Sequence, residues 1–176
     1  KDVASYDEIT LEGYAPHGIA IFVDCATNNN NRTVADVRSY FSKCNGALGK
    51  NGSLEFIFNR KGVFTILKEN ISVTLEDFEM ELIDGGLEEV IIEEDIITVI
   101  CDFLDFNNLQ LKIEELKIEI EKSELQRVPN STKNISTEDA GDVLKLLDLL
   151  EENDDVQNVA HNMEMTEEIV NSIDSL

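Results

Sequence analysis

Six cationic side chains stand close together in a chain that is otherwise strongly acidic, and such a group suits contacts to phosphate. The protein carries a formal charge of −23, yet residues 27–62 contain only Asp36 and Glu55 as acids. The cations of this segment are Arg32, Arg38, Lys43, Lys50, Arg60 and Lys61. If these side chains share one surface, that surface would position a phosphate backbone without reading its bases.

Asn31 and Thr33 extend this group, because the polar run at 29–33 lies where a predicted helix begins and free N–H groups favour an anion. The predicted nucleic-acid-binding residues are therefore Asn31, Arg32, Thr33, Arg38, Lys43, Lys50, Arg60 and Lys61. A simpler interpretation stands beside this one. In it the polar loop only caps the helix, and the lysines only keep the surface soluble.

Residues suited to catalysis or metal binding are sparse. His17 and His161 are the only histidines, and a lone histidine is usually structural. The run GALGKNGS at 46–53 lacks the glycine spacing of a phosphate-binding loop. The runs DFNNLQ at 105–110 and EENDD at 151–155 are rich in side-chain oxygens but lack the spacing of a calcium-binding loop. We therefore expect no enzymatic activity, no metal and no cofactor.

The cysteines and the hydropathy pattern indicate where the protein works. Cys25, Cys44 and Cys101 are far apart and lack CxxC spacing, which favours reduced thiols and a cytoplasmic protein. No apolar run approaches the ~20 residues of a membrane helix, so no membrane partner is expected.

The pattern of apolar residues in the first 70 positions predicts an α+β fold. It indicates a strand, a helix and a hairpin, with elements at 18–27, 34–44, 53–59 and 63–68. Residues 8–16 are interpreted as a strand end or a loop. Thr33 is the expected N-cap of the helix, and Arg60 and Lys61 lie at the expected hairpin tip.

A second series of elements follows. It has a predicted helix at 74–86, two strands within 87–102, a helix within 102–120 and a strand at 123–130. A helix at 137–153 and a strand at 154–165 would then complete the first series as a split βαβ, ferredoxin-like unit. The predicted domains are 1–70 with 132–176, and an inserted α+β domain at 71–131. Gly141 suggests a close packing contact, since glycine inside a helix costs about 1 kcal/mol.

Charge divides the chain unevenly. Residues 1–68 hold 8 Lys+Arg and 7 Asp+Glu, whereas residues 69–176 hold 6 and 30. The acidic portion would repel nucleic acid. We interpret its acidic unit at 69–131 either as an insulating or protein-facing surface or simply as a solubilising one.

Several motifs resemble the YebC/PmpR family in order along nearly the whole chain. They are EGYAPHG at 12–18, ATNNNNRT at 26–33, FSKCNGALGKNGSLEFIFNRKG at 41–62 and DDVQNVAHN at 154–162. The family pattern at the corresponding places is approximately EGYGPGG, TDNxNRT, FxKxGGxLGxxGSVxxxFxxKG and DDVQNVYHN. His17 and Asn45 therefore stand where the family favours glycine, and Ala160 stands where it favours tyrosine.

The resemblance implies a non-enzymatic regulator of gene expression. Most members are regarded as DNA-binding transcriptional regulators, and the related mitochondrial proteins activate translation of cytochrome c oxidase. Two alternatives therefore stay open: a ribosome-associated translation factor that contacts ribosomal RNA, and an acidic protein-interaction module. The resemblance also implies that a basic N-terminal helical domain of the family lies outside this chain and supplies most of the attraction to nucleic acid. The six cations of this chain would provide an additional cationic edge that contacts the nucleic acid.

Overall fold

The chain folds into two compact units, in a computed structural model that describes residues 5–174. Unit 1 combines the residues up to Asn59 with those from Val128 onward, and unit 2 comprises Arg60–Arg127. Helices and antiparallel sheets occur in both, which confirms the α+β class. No helix within the described residues has both the length and the apolar composition to cross a membrane.

Residues 5–174 form eight strands and five α-helices. The strands are β1 Asp7–Tyr14, β2 Ala20–Thr27, β3 Ala47–Leu48, β4 Phe58–Leu67, β5 Leu87–Ile92, β6 Ile96–Asp102, β7 Lys122–Pro129 and β8 Val156–His161. The helices are α1 Asn30–Lys43, α2 Leu75–Ile83, α3 Phe106–Glu115, α4 Thr137–Glu152 and α5 Glu167–Asp174. Short 3-10 turns occur at Pro16–Gly18, Lys68–Asn70 and Phe103–Asp105.

The sheet of unit 1 has the strand order β3-β1-β2-β8, and each neighbouring pair is antiparallel. β2 and β3 are therefore parallel to each other, with β1 between them and α1 connecting them. This is the split βαβ arrangement. One face of β2 packs under α1 and α4, while Phe22 on the other face contacts Leu54 and Phe58.

The strand that fills the middle of this split unit is not the predicted one. Residues 8–16, interpreted as a strand end or loop, largely form β1, and β1 occupies the position expected for 63–68. The polar residues at the start of β1 made the strand hard to predict, although Leu11, Glu12 and Gly13 are all buried.

The predicted hairpin at 53–68 is wrong. Residues 58–67 form the single strand β4, and residues 51–57 form turns. The alternation at Leu54 and Phe58 arises because both pack on Phe22, while Phe56 is 76% exposed. Gly62 is a packing glycine instead of a turn residue, since a Cβ there would lie 2.5 Å from the Phe106 ring.

β4 pairs with β6, and the sheet of unit 2 has the order β5-β6-β4-β7. Residues 63–68, which the sequence assigned to the first domain, therefore pair inside the second sheet. The core of unit 2 lies between this sheet and two helices, with Phe78 and Leu82 of α2 and Leu109 and Ile113 of α3 fully buried.

The ends of α1 differ from the prediction at both termini. The helix begins at Asn30, because the Asn29 side chain, not that of Thr33, accepts the capping hydrogen bond. It ends in a Schellman motif, in which Gly46 N–H donates to the Phe41 carbonyl at 2.8 Å. Asn45 holds the left-handed position of this motif, with φ of 63°.

Two further positions concern the conformation and packing of glycine. His17 has φ of 67°, so a residue with a Cβ occupies backbone that favours glycine. Gly141 contradicts its prediction, because a Cβ added there would meet nothing within 4 Å. No packing contact of the structure explains that glycine.

Candidate nucleic-acid interface

Two distant motifs meet at one carboxylate, that of Asp155. Arg32 Nη2 donates to Asp155 Oδ2 at 2.9 Å, and Thr33 Oγ1 donates to the same oxygen at 2.8 Å. Thr33 Oγ1 also lies 2.7 Å from Thr27 Oγ1. We call these four residues the Asp155 network. It ties the start of α1 to the entry of β8, so the polar motif at 27–33 has a structural task in unit 1.

Burial and pairing leave the members of the Asp155 network with little capacity to bind a partner. Thr27 and Thr33 are fully buried, so the interface proposed below leaves Thr33 out. The Arg32 side chain is about half exposed (47%) but already paired. The Arg32 guanidinium, together with the Thr33 hydroxyl, holds the pKa of Asp155 below its usual value. Asp155 is therefore ionised at neutral pH and neutralises Arg32.

The solvent side of α1 carries the unpaired cations. Asn31, Arg38 and Ser42 are separated by seven and four residues and so lie along one edge of the helix. Lys43 lies on the neighbouring edge, and all four are exposed. We call these four residues the α1 face. Among residues 5–174 no acidic side chain forms an ion pair with Arg38 or Lys43.

Lys50 is held by a loop that folds around a buried acid. Glu12 in β1 is 1% exposed, and its carboxylate accepts hydrogen bonds from the backbone N–H groups of Gly52, at 2.5 Å, and Leu54, at 2.7 Å. Gly49 N–H donates to the Glu12 carbonyl as well. This loop follows β3, which packs against α1, and it leaves the Lys50 side chain exposed.

Arg60 and Lys61 lie in β4 within unit 2, away from any hairpin tip. The Arg60 guanidinium sits 4.3 Å above the centre of the Phe103 ring. Lys61 Nζ is 2.6 Å from Glu88 Oε1. The structure thus divides the six predicted cations between the two units, with four in unit 1 and two in unit 2.

The charge contrast seen along the sequence disappears in the fold. Unit 1 holds 7 Lys+Arg and 19 Asp+Glu, and unit 2 holds 7 and 18, giving net charges of −12 and −11. The two units are alike in net charge because α4, α5 and the segments on either side of β8 bring their acids back into unit 1. The α1 face is therefore a local cationic surface on an acidic body.

Other reactive groups are engaged in the structure. His17 Nε2 lies 2.9 Å from Asp142 Oδ2, and its Nδ1 lies 3.7 Å from Asp139 Oδ2. Within the described residues these three side chains form the one group whose atoms are close enough to share a metal ion. The hydrogen bond between His17 and Asp142 already accounts for the arrangement, because it fastens the turn after β1 to α4.

Burial favours the neutral forms of one histidine and two cysteines. Burial lowers the pKa of His161, whose Nδ1 accepts a hydrogen bond from Met163 N–H. Burial, with nearby acids, raises the pKa of Cys25 and of Cys101 to about 11. Such thiols are weak nucleophiles at neutral pH because the thiolate is the reactive form.

A family model described as "TACO1/YebC second and third domain" matches residues 6–163. The chain belongs to the TACO1/YebC family. The match includes β1, the Asp155 network, the α1 face, the Lys50 loop and all of unit 2, so it spans residues of both units.

Relatives in this family are named as regulators. A "Probable transcriptional regulatory protein" of Flavobacterium johnsoniae is 49% identical over 93% of this chain and 68% of the relative. One of the same name from Cytophaga hutchinsonii is 47% identical over 95% and 69%. A crystal structure of a conserved hypothetical protein of Aquifex aeolicus is similar, with a TM-score of 0.79 and 35% identity, over 93% of this chain and 67% of that one.

Sequence reasoning missed two acids of this TACO1/YebC chain that position residues of the candidate interface. Glu12 stands between Leu11 and Gly13 in a buried strand, and an acid between apolar neighbours is the available signal for it. Asp155 lies in a motif that was recognised, but nothing in its local sequence points to Arg32, which is 123 residues away.

Proposed function

We propose that unit 1 binds nucleic-acid phosphates through the α1 face and Lys50, and that the protein regulates gene expression in the cytoplasm by binding instead of catalysis. The observation that supports this most is that Arg38, Lys43 and Lys50 are exposed and unpaired within residues 5–174, whereas Arg32 is neutralised by Asp155. Arg and Lys side chains of this kind position a phosphate backbone. Asn31 and Ser42 add hydrogen-bonding groups on the same helix.

The acidic body sets the strength of this binding. A net charge of −12 on unit 1, from 7 Lys+Arg against 19 Asp+Glu, repels a duplex at long range. Three phosphate contacts give a salt dependence with a slope of roughly −2 to −3 on a double logarithmic plot. We therefore expect weak binding that salt above physiological strength abolishes.

The test is fluorescence anisotropy with a labelled DNA duplex and a labelled RNA hairpin, at several salt concentrations. The first variant combines Arg38→Glu, Lys43→Glu and Lys50→Glu. Its matched control combines Lys68→Glu, Lys117→Glu and Lys145→Glu, which changes the net charge equally at exposed sites elsewhere. We expect the first variant to lose binding and most of the salt dependence, while the control keeps the larger part of both.

Equal loss in the two variants would show that only net charge matters and would overturn the assignment of the α1 face. Arg60→Glu with Lys61→Glu tests the two cations of unit 2. Their existing contacts to Phe103 and Glu88 predict a smaller loss than that of the first variant.

The choice of nucleic acid separates two regulatory roles. Transcriptional regulation, which the names of the relatives favour, predicts tighter binding to the duplex DNA than to the RNA. A ribosome-associated translation factor predicts the reverse, and a pull-down from lysate that recovers ribosomal RNA lost in the first variant would identify it. Failure of both probes would leave protein interaction through the acidic surfaces as the function.

A further inference from the structure

Unit 2 contains an open groove whose lining combines apolar and acidic side chains. It lies beside α2 and the segment that follows α3, and it encloses about 290 Å³. Its lining residues are Ser72, Val73, Asp77, Met80, Glu81, Leu116 and Ile118. The volume lies at the lower end of small-molecule pockets, which run from roughly 300 to 1,000 Å³, so it suits a few anchoring side chains.

Two apolar side chains of this groove are accessible to solvent. Met80 is 66% exposed and Val73 is 49% exposed, and the buried core residue Ile118 lines the same groove. Methionine adapts its shape to different apolar partners. A group of exposed apolar side chains with polar neighbours is typical of a protein-binding surface.

The charge beside the groove restricts the partner. α2 carries four acids and no cation, namely Glu76, Asp77, Glu79 and Glu81. Asp77 and Glu81 are four residues apart on the same side of the helix as the groove, with Met80 beside them. Of the described lining residues none is cationic, and unit 2 as a whole has 7 Lys+Arg against 18 Asp+Glu.

We propose that this groove binds a basic amphipathic helix of a partner protein. Apolar residues on one side of such a helix would enter the groove and cover Val73, Met80 and Leu116, in the manner of helix-in-groove recognition. Its Lys or Arg side chains would pair with Asp77 and Glu81. An acidic partner would be repelled by Asp77 and Glu81, and a purely polar partner would leave the apolar lining uncovered. This surface lies on unit 2 and is distinct from the phosphate contacts proposed for unit 1.

The test uses a helical peptide as the probe. A fluorescein-labelled Leu/Lys peptide of about 18 residues is long enough to form a helix on binding. A Gly/Lys peptide of equal charge has no apolar side, and a Leu/Glu peptide has the opposite charge. We expect the Leu/Lys peptide alone to bind, and we expect the amide resonances of 72–81 and 116–118 to shift in NMR spectra of the isotope-labelled protein.

Two variants change the groove itself. Met80→Asp places a charge among its apolar lining, and Asp77→Lys with Glu81→Lys reverses the two acids at its side. We expect each variant to weaken binding of the Leu/Lys peptide by about tenfold or more. NMR spectra of both check that unit 2 is folded.

Each groove variant has a matched control outside the groove. Leu104→Asp introduces the same charge at an apolar side chain that is 81% exposed. Glu93→Lys with Glu94→Lys reverses two exposed acids in the segment between β5 and β6. We expect each control to change the affinity for the peptide by less than about twofold, and the same NMR spectra check its fold.

Several results would overturn the proposal. Equal binding of the Gly/Lys peptide, or equal weakening by the two double Lys variants, would mean that the attraction is only electrostatic. Equal effects of Met80→Asp and Leu104→Asp would mean that the apolar lining of the groove does not contact the peptide. Absence of binding would exclude the occupant. Concentration-dependent dimerisation in sedimentation, lost in Met80→Asp, would assign the groove to a second copy of this chain.

Discussion

Units 1 and 2 are built alike but use their polar residues differently. Each packs helices on a four-stranded sheet, and their net charges, from 7 Lys+Arg in each against 19 and 18 acids, are nearly equal. Unit 1 buries its polar motif residues in the Asp155 network and around Glu12. Unit 2 keeps its ionic contacts at the surface and leaves Met80 and Val73 exposed. The most recognisable motifs therefore stabilise the fold, and less distinctive residues carry the surfaces proposed to bind.

The largest expected effect comes from removing the centre of the Asp155 network. Asp155→Ala leaves Arg32 and Thr33 without their shared acceptor and should lower the free energy of unfolding by about 2 kcal/mol, because Arg32 is half exposed and Thr33 keeps other acceptors. All three tyrosines of the chain lie in unit 1, so tyrosine fluorescence during urea unfolding reports on that unit. The control Asp154→Ala, at an exposed neighbouring acid, should change the free energy of unfolding by less than about 0.5 kcal/mol.

A smaller effect is expected from acidification, again in unit 1. Because burial lowers the pKa of His161, the unfolded chain takes up the proton first as the pH falls. The stabilisation is complete above the ordinary histidine pKa of about 6.5 and is lost progressively below it. The urea midpoint of His161→Gln should therefore fall less between pH 7.5 and pH 5.5 than that of the natural protein. Parallel slopes for the two proteins would refute this.

Gly141→Ala should stabilise unit 1 without touching the Asp155 network. The added Cβ enters open space, and alanine favours the helix over glycine, so a gain of about 0.5–1 kcal/mol is expected. The same tyrosine signal measures it. A loss of stability would mean that the glycine has a packing role after all.

The smallest effect is expected in unit 2. Glu88→Gln removes the partner of Lys61, but both side chains reach solvent, so the free energy should change by less than about 1 kcal/mol. Hydrogen exchange of the β4 and β6 amides measures this change. A loss as large as that of Asp155→Ala would remove the contrast between the two units.

The sequence predicted the elements well where one periodicity dominated. The helix at 137–153 agrees with α4, and the strands within 87–102 agree with β5 and β6. The hairpin prediction was wrong for two reasons. Leu54 and Phe58 are apolar because both pack on Phe22, not because they share one face of a strand, and the sequence cannot distinguish a turn glycine from Gly62, which lies in a crowded strand. Such contacts are long-range and leave no local pattern.

The candidate site was predictable in part for the same reason. Exposure of Arg38, Lys43 and Lys50 agrees with their positions in the helical and loop patterns. The pairing of Arg32 with Asp155 could not be predicted, since it depends on β8 joining the edge of β2. A cation counted from sequence is therefore available to a partner only if the fold supplies no acid to it.

The interruption of unit 1 by unit 2 has a consequence for the order of events during synthesis. Unit 2 is contiguous in sequence, and all four strands of its sheet are complete once residue 129 has left the ribosome. Unit 1 must wait for β8, and Arg32 meets Asp155 only after 123 further residues are made. Until then the β2 edge is unpaired, and an unpaired edge invites association with other chains. Pairing of β8 with β2 is therefore the step that ends this period of exposure.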